Sequence, residues 1–213
     1  MRMSEAKDYP VFLNLRDKDC LVVGGGRVAE RKVGALSEAG ADVTVVSPDL
    51  TPGLEGSAGS GRLCWKARDF VETDIDGITL VIAATDNNDT NERVHAAARR
   101  AGILANVVDN PQMCDFFVPA VLKRGRLVFA VSTGGASPAF AARVRDDLGE
   151  EFGPEYSDYL ELIGDFRRRV RERVAEPARR DQAYERLFAS DVLERLRGGE
   201  RIDVENLVTE YAL

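Results

Sequence analysis

Three consecutive glycines, set between an apolar stretch and a helix-forming one, constrain this 213-residue chain more than any other feature. Cys20-Leu-Val-Val23 is apolar and ends β-branched, as a short buried strand requires. Gly24, Gly25 and Gly26 follow directly, and from Arg27 to Leu36 the residues favour a helix. The spacing is Gly24-x-Gly26-x-x-Ala29, the dinucleotide fingerprint with alanine in third place. Gly24 permits the tight turn, Gly26 lets a pyrophosphate approach the backbone, and Ala29 keeps the helix close to the strand. The exposed N–H groups and the positive end of the helix dipole are then placed to hold a diphosphate.

The chain beyond this point alternates. Gly40 ends the first helix as its C′ residue, and Asp42-Val-Thr-Val-Val46 reads as a second strand. Thr51 to Gly61 is rich in Gly, Ser and Pro and reads as a loop or a poorly formed helix. Arg62-Leu-Cys-Trp-Lys66 follows as a third strand, with Trp65 a core or rim residue. Ile78 to Ala84 is a strongly β-prone buried run that stops at Thr85-Asp-Asn-Asn88, a cluster of helix-start residues. Asn91 to Ala101 is helical, with His95 beside its apolar face, and Leu104-Ala-Asn-Val-Val-Asp109 is the next strand. Ahead of all of these, Val11-Phe-Leu13 reads as an edge strand or apolar lead-in. Five β segments alternating with helices predict an α/β fold, a Rossmann-like, doubly wound parallel sheet. Ligands of such sheets lie outside the carboxyl ends of the strands. The glycine loop, Ala84-Thr85-Asp86 and Asn106-Val-Val-Asp109 are therefore expected to converge on one crevice. At the end of the second strand stand Ser47, Pro48 and Asp49, and Asp49 is close enough to serve an adenosine ribose. No Lys or Arg occurs between Ala41 and Gly61, which favours NAD over NADP.

The alternation breaks after Pro111. Phe116 to Leu122 and Arg126 to Ser132 are two β-like runs joined by Lys123-Arg-Gly125, a hairpin, with Pro119 pushing the first run towards an edge. Ser137-Pro138 then starts a helix as N-cap and N1. From Gly153 the chain reads as helices: one carrying Tyr156 to Val170, a second carrying Leu187, Val192, Leu193 and Leu196, and a short last one at Val204 to Val208. The expected division is a nucleotide-binding domain over 1–113, an extension over 114–150 used for pairing with a second subunit, and a helical domain over 151–213. The Arg167-Arg-Arg-Val-Arg-Glu-Arg173 run reads as a solvated helix face ahead of an anion site, because acids are interleaved.

Composition removes several alternatives. A formal net charge of −7 argues against non-specific nucleic-acid binding. No apolar run approaches the ~20 residues of a membrane span, and Met1 to Asp8 is polar, so a cytoplasmic protein is expected. Three scattered cysteines and a single histidine suggest neither a disulfide framework nor a resident metal site.

Several motifs then line up in order. Tyr9-Pro-Val-Phe-Leu13, Val23 to Lys32, Val43-Thr-Val-Val-Ser-Pro48, Ala83-Ala-Thr-Asp86, Asn106-Val-Val-Asp109, Cys114 to Ala120 and Ser132-Thr-Gly-Gly-Ala-Ser-Pro138 together resemble the precorrin-2 dehydrogenase/sirohydrochlorin ferrochelatase family, the dehydrogenase–chelatase part of sirohaem synthase. Their joint order and spacing, over about residues 9–145, is specific where each alone is not. The resemblance implies a homodimer that oxidises precorrin-2 to sirohydrochlorin with NAD, Fe²⁺ insertion to sirohaem being a second activity in some members. The methyltransferase domain of some relatives is missing, so a separate uroporphyrinogen methyltransferase is expected upstream. Asp109 matches the aspartate implicated in both steps. On its own terms Asp109 is a carboxylate at a strand end, and shielding in a crevice mouth would suit it to take a proton. Arg27, Val28, Ser47, Pro48 and Asp49 correspond to NAD contacts beside Gly24 and Gly26, with Thr85 and Asp86 bordering the site. Ser132-Thr133 resembles a Ser-Ser pair whose second serine is phosphorylated in some relatives, and here Thr133 replaces it. Gly134 and Gly135 would let a macrocycle approach the backbone. Because the substrate carries carboxylates, Lys123, Arg124 and Arg126 on the hairpin, and Arg143 and Arg145 after it, are candidate cations. The competing reading is an NAD-sensing regulatory domain of a cation-transport system, which leaves Asn106 to Asp109 and the 116–138 extension unexplained.

Overall fold

A computed structural model describes residues 8–213; apart from Asp8, the polar N-terminal stretch lies outside the described residues. The chain forms two compact units, Tyr9–Val118 and Pro119–Leu213.

The first unit is built on five parallel strands, β1 (Asp19–Val23), β2 (Asp42–Val46), β3 (Cys64–Lys66), β4 (Leu80–Ala83) and β5 (Leu104–Val107), in the order β3-β2-β1-β4-β5. The doubly wound sheet expected from the alternation is present. Side chains along β1 alternate between two cores, as strand geometry dictates. Cys20 and Val22 face α1 (Arg27–Glu38), packing with Ala29, Val33, Leu36 and with Leu54 of α2 (Pro52–Gly59). Leu21 and Val23 face the other side, with Val94, Ala97 and Ala98 of α3 (Asn88–Ala101). Both faces of the sheet are covered, which is why its strands read as continuous apolar runs.

Two local expectations change. Val11 to Leu13 forms no strand; these residues are exposed and outside the sheet. The Gly/Ser-rich stretch after β2 is a regular helix, because Thr51 caps it, accepting from Leu54 N at 3.4 Å, and Pro52 occupies its first turn.

The second unit opens with the antiparallel pair β6 (Ala120–Arg124) and β7 (Leu127–Val131). The hairpin sits later than its sequence suggests. Pro119 has no N–H for a ladder, so pairing starts at Ala120–Val131 and runs through Lys123 and Arg124, leaving Gly125 and Arg126 as the turn. Helix α4 (Pro138–Glu151) begins on Ser137 as N-cap, its Oγ accepting from Phe140 N at 3.2 Å. Helices α5 (Glu155–Arg173), α6 (Pro177–Phe188), α7 (Val192–Arg197) and α8 (Val204–Tyr211) enclose a separate core around Phe166, Val170, Leu187 and Val208. The single helix expected around Leu187 to Leu196 is two, broken at Ser190, whose hydroxyl donates to Leu187 O at 2.7 Å instead of letting the helix continue. Among the described residues no helix is long and apolar enough to cross a membrane.

Candidate active site

The strand order reverses between β1 and β4, and a cleft of about 640 Å³ opens at the carboxyl ends of β1, β2 and β4. The backbone shapes it. Gly24 N donates to Val46 O and Thr51 N to Gly25 O, each at 2.9 Å, and Ala84 N to Val23 O at 2.8 Å, so the loops after the three strands are tied together. Gly24 has φ +118°, and a Cβ there would stand 2.3 Å from Ala84 O. No other residue fits. The next glycine is equally confined, with Asp49 O 1.9 Å from where its Cβ would be, whereas Gly26 meets nothing within 4 Å. The N-terminus of α1 thus faces open space with unobstructed backbone, as an approaching diphosphate would need.

All nine residues expected around a nucleotide line this one cleft: Gly24, Gly26, Arg27, Val28, Ser47, Pro48, Asp49, Thr85 and Asp86. Ser47 is buried, and Trp65 on the rim donates its indole N–H to Ser47 O at 2.9 Å. Thr85 is fixed by Asn91, a buried residue of α3 whose amide donates to Thr85 O at 2.9 Å and whose Oδ1 lies 2.8 Å from the Thr85 hydroxyl. Thr51 donates to the Glu30 carboxylate at 2.6 Å, holding that acid in the first turn of α1 to one side.

The opposite wall, Arg68, Asp69 and Phe70, was not legible from the sequence. It follows β3 and is organised by Asp74, which is 4 % exposed. Arg68 donates to both Asp74 oxygens at 2.7 Å, Lys66 donates at 2.8 Å and Val71 N at 3.1 Å. The Arg68 guanidinium, more than the other donors, holds the Asp74 carboxyl well below the usual carboxylate range. A cation therefore does stand at the cleft, but its charge is already engaged.

Asp109 is placed differently from the expectation. It does not line the cleft, and its side chain is exposed instead of shielded in a crevice mouth. It occupies the left-handed region, φ +61°, two residues beyond β5. The loop carrying it is closely held: Val108 N donates to Ala83 O at 2.9 Å, Asp115 N to Ala105 O at 2.8 Å, Ala105 N to the Asp115 carboxylate at 2.9 Å, and Asn106 Nδ2 to Phe116 O at 2.9 Å. The Cys114 thiol sits between Val107 O and Asn110 O, at 3.2 and 3.3 Å, and burial pushes its pKa up. Lys32 of α1 comes within electrostatic reach: burial and the adjacent Arg31 lower its pKa, and Cys114 and Asp109 oppose that. Lys32 was not among the residues singled out, since nothing in the sequence distinguishes it from a solvated helix lysine.

In the second unit, Arg124 is an anchor. Its donors reach Phe152 O at 2.7 Å, Gly149 O at 3.1 Å and Lys123 O at 3.1 Å, tying the hairpin to the end of α4. Arg143 pairs with Asp147 and Arg145 with Asp146, at 2.8 and 2.6 Å. Arg126 is exposed at the turn. In the loop from Ser132 to Ser137 the Ser132 hydroxyl accepts from Gly134 N at 3.2 Å and Thr133 Oγ1 from Ser137 N at 3.0 Å, while Gly134 and Gly135 have φ +58° and +81°. Among the described residues no group of three His, Cys, Asp or Glu side chains is placed to hold a metal ion.

Comparison with known proteins agrees with this geometry. Residues 11–120 match a family described as putative NAD(P)-binding, 124–151 the sirohaem biosynthesis protein central region, and 155–211 the sirohaem synthase dimerisation region. The chain is 41% identical over 206 residues to siroheme synthase of Methylococcus capsulatus, which covers 96% of this chain and 44% of that protein. It is 40% identical over 202 residues to siroheme synthase 1 of Aeromonas salmonicida, covering 94% and 43%. It thus spans less than half the length of the curated relatives it matches. The solved structure of SirC, precorrin-2 dehydrogenase, superposes with a TM-score of 0.79 at 24% identity, covering 96% of this chain and 98% of that one, and shares its fold. The chain belongs to the precorrin-2 dehydrogenase/sirohydrochlorin ferrochelatase family, the dehydrogenase–chelatase part of sirohaem synthase.

Proposed function

We propose that the protein dehydrogenates precorrin-2 to sirohydrochlorin with NAD, and that it also inserts Fe²⁺ to give sirohaem. The observation that carries the reading is the cleft at the strand reversal, in which the nine residues expected around a nucleotide meet, on a chain matched by sirohaem regions over 124–151 and 155–211.

The open backbone at Gly26 and the free N-terminus of α1 fit a diphosphate, and Asp49 at the end of β2 is placed for a ribose hydroxyl. Arg68 is bound to Asp74, so its guanidinium is not offered to a 2′-phosphate, which favours NAD over NADP. The cleft residues would hold NAD, which would supply the hydride acceptor. The chain's own part is to fix the macrocycle and take the proton that must leave with the hydride. Asp109 has that role in this reading: an exposed carboxylate on a loop held by Asn106, Cys114 and Asp115, facing its substrate without an ion-pair partner among the described residues. In chelation the same carboxylate takes the pyrrole N–H protons, the macrocycle nitrogens serve as the ligands, and Fe²⁺ is a substrate.

Ser132, Thr133, Gly134 and Gly135, with Lys123, Arg124 and Arg126, form the proposed substrate surface of the second unit, Arg124 acting through the shape of the hairpin. The functional division is 1–113 for the cofactor, 114–150 for substrate and pairing, and 151–213 for the helical domain, within a cytoplasmic homodimer. Neither nucleic acid nor a membrane is a partner in this reading.

Anaerobic mixing of the protein with NAD and precorrin-2, followed by absorbance, is the test. Formation of sirohydrochlorin with NADH is expected. Bound NAD without turnover would replace the enzyme by a nucleotide sensor. Adding Fe²⁺ and sirohydrochlorin, with and without protein, decides the second activity.

A further inference from the structure

Helix α1 carries a half-buried charge on each flank of its packed face, and only one of the two is engaged. Glu30 accepts from the Thr51 hydroxyl at 2.6 Å. Lys32, on the other flank, makes no hydrogen bond and no salt bridge among the described residues. It follows Ala29 by three residues and precedes Leu36 by four, so it borders the stripe that packs on the sheet.

What Lys32 borders on its open side is the loop after β5. Val108 and Phe116, at the two ends of the segment that carries Asp109 and Cys114, pack against the same core cluster as Ala29, Val33 and Leu36. Apolar contact therefore fixes α1 and this loop to each other, and Lys32 stands at the seam. The Cys114 thiol there is kept neutral by burial and brings no charge to the ammonium. Asp109 is within electrostatic reach but does not close to a salt bridge. Partial burial, and Arg31 beside it, both disfavour the charged form of Lys32. A cation held in such a place without a bonded acceptor is short of an anion.

We propose that Lys32 is a substrate-binding residue, whose ammonium takes a peripheral carboxylate of the macrocycle and so seats the ring against Asp109. The proposal rests on the role given to Asp109 above and adds a binding residue to it. A substrate rich in carboxylates is repelled by an anionic base unless a cation stands beside that base. Lys32 supplies the cation and three donors, none of them engaged within the chain. It lies five residues past Arg27, about 8 Å along the axis at ~1.5 Å per residue. The helix that turns its N-terminus to a diphosphate thus offers a charge to the second substrate one and a half turns further on.

Absorbance titration of the full chain with sirohydrochlorin, without NAD, tests this, with circular dichroism as the folding control. Lys32→Met keeps an apolar stem and the helix propensity and removes the charge. It should weaken sirohydrochlorin binding at least roughly tenfold and raise KM for precorrin-2 in step, with NAD affinity held within about twofold. Lys32→Arg should recover most of the lost affinity. Added salt should weaken binding less in Lys32→Met than in the wild type. Unchanged sirohydrochlorin affinity with a lowered kcat would overturn the proposal, because the charge would then act on Asp109 and not on the substrate. Unchanged affinity and unchanged kcat would overturn any role at the site. Weakened binding that Lys32→Arg does not recover, with no change in salt dependence, would make Lys32 a packing residue. In all three cases a wild type that oxidises precorrin-2 leaves the enzyme reading standing. A wild type that neither binds nor oxidises the macrocycle removes that reading and Lys32's role with it. Should Lys32→Met fail the folding control, Lys32→Gln, of similar helix propensity, takes its place.

Discussion

Two aspartates of the first unit are held in opposite ways. Asp74 is buried and accepts four hydrogen bonds, three of them from cations, and nothing more can reach it. Asp109 is exposed, in a backbone conformation that few non-glycine residues adopt, on a loop held by hydrogen bonds of Asn106, Cys114 and Asp115. A saturated carboxylate serves architecture: it fixes Arg68 and so the wall of the cleft. An unsaturated one on a braced loop has its lone pairs available for a substrate. The difference is one of partners, since both are short acids beyond strands of the same sheet.

The largest expected effect tests the second half of that contrast. Asp109→Ala should lower turnover about a thousandfold while NAD affinity, read by fluorescence titration, stays within twofold. Near-normal turnover would sink the role assigned to it. Asp74→Ala should act the other way round. It should cost roughly 2–3 kcal/mol of stability in a denaturant titration, with the surviving folded fraction retaining most of its turnover number. A large loss of turnover at full stability would mean that the corner takes part in chemistry.

The third test uses pH. Asp74 has a folded-state pKa below its unfolded one, so its stabilisation is complete above the unfolded carboxylate value of about 4. It is lost as pH falls through the lower, folded value. Asp74→Asn should therefore flatten the decline of stability below about pH 4 relative to wild type. Parallel acid curves would show that Asp74 is not the group responsible. The smallest effect is on stability: Asp109→Gly relieves the left-handed conformation and should stabilise the fold by at most about 1 kcal/mol. A destabilised variant would mean that the side chain supports its loop.

The contrast also explains what could be read in advance. The glycine turn, the apolar strands and their helices are encoded locally, by residue type and period, and the sheet follows from them. The cleft residues came with it because they occupy strand ends whose position the fold sets. Arg68 and Asp74 were not legible, because their meaning lies in a bidentate contact across a loop of irregular backbone, which no period announces. Pro119 marked its run as unusual, but only the partner strand shows that pairing begins one residue later. Lys32 sits on the most informative helix of the chain but is not legible as a site residue, because its proximity to Asp109 joins α1 to a loop some 77 positions further along.

The vacancy beside Gly26 carries one more consequence. Gly24 is required by the chain's own geometry and its right-hand neighbour by the Asp49 carbonyl, but an alanine at position 26 would touch nothing the protein itself supplies. As the N-cap of α1 the residue leaves that helix end with bare backbone on its outer side. In the proposed reading, the side chain withheld there is room kept for a diphosphate.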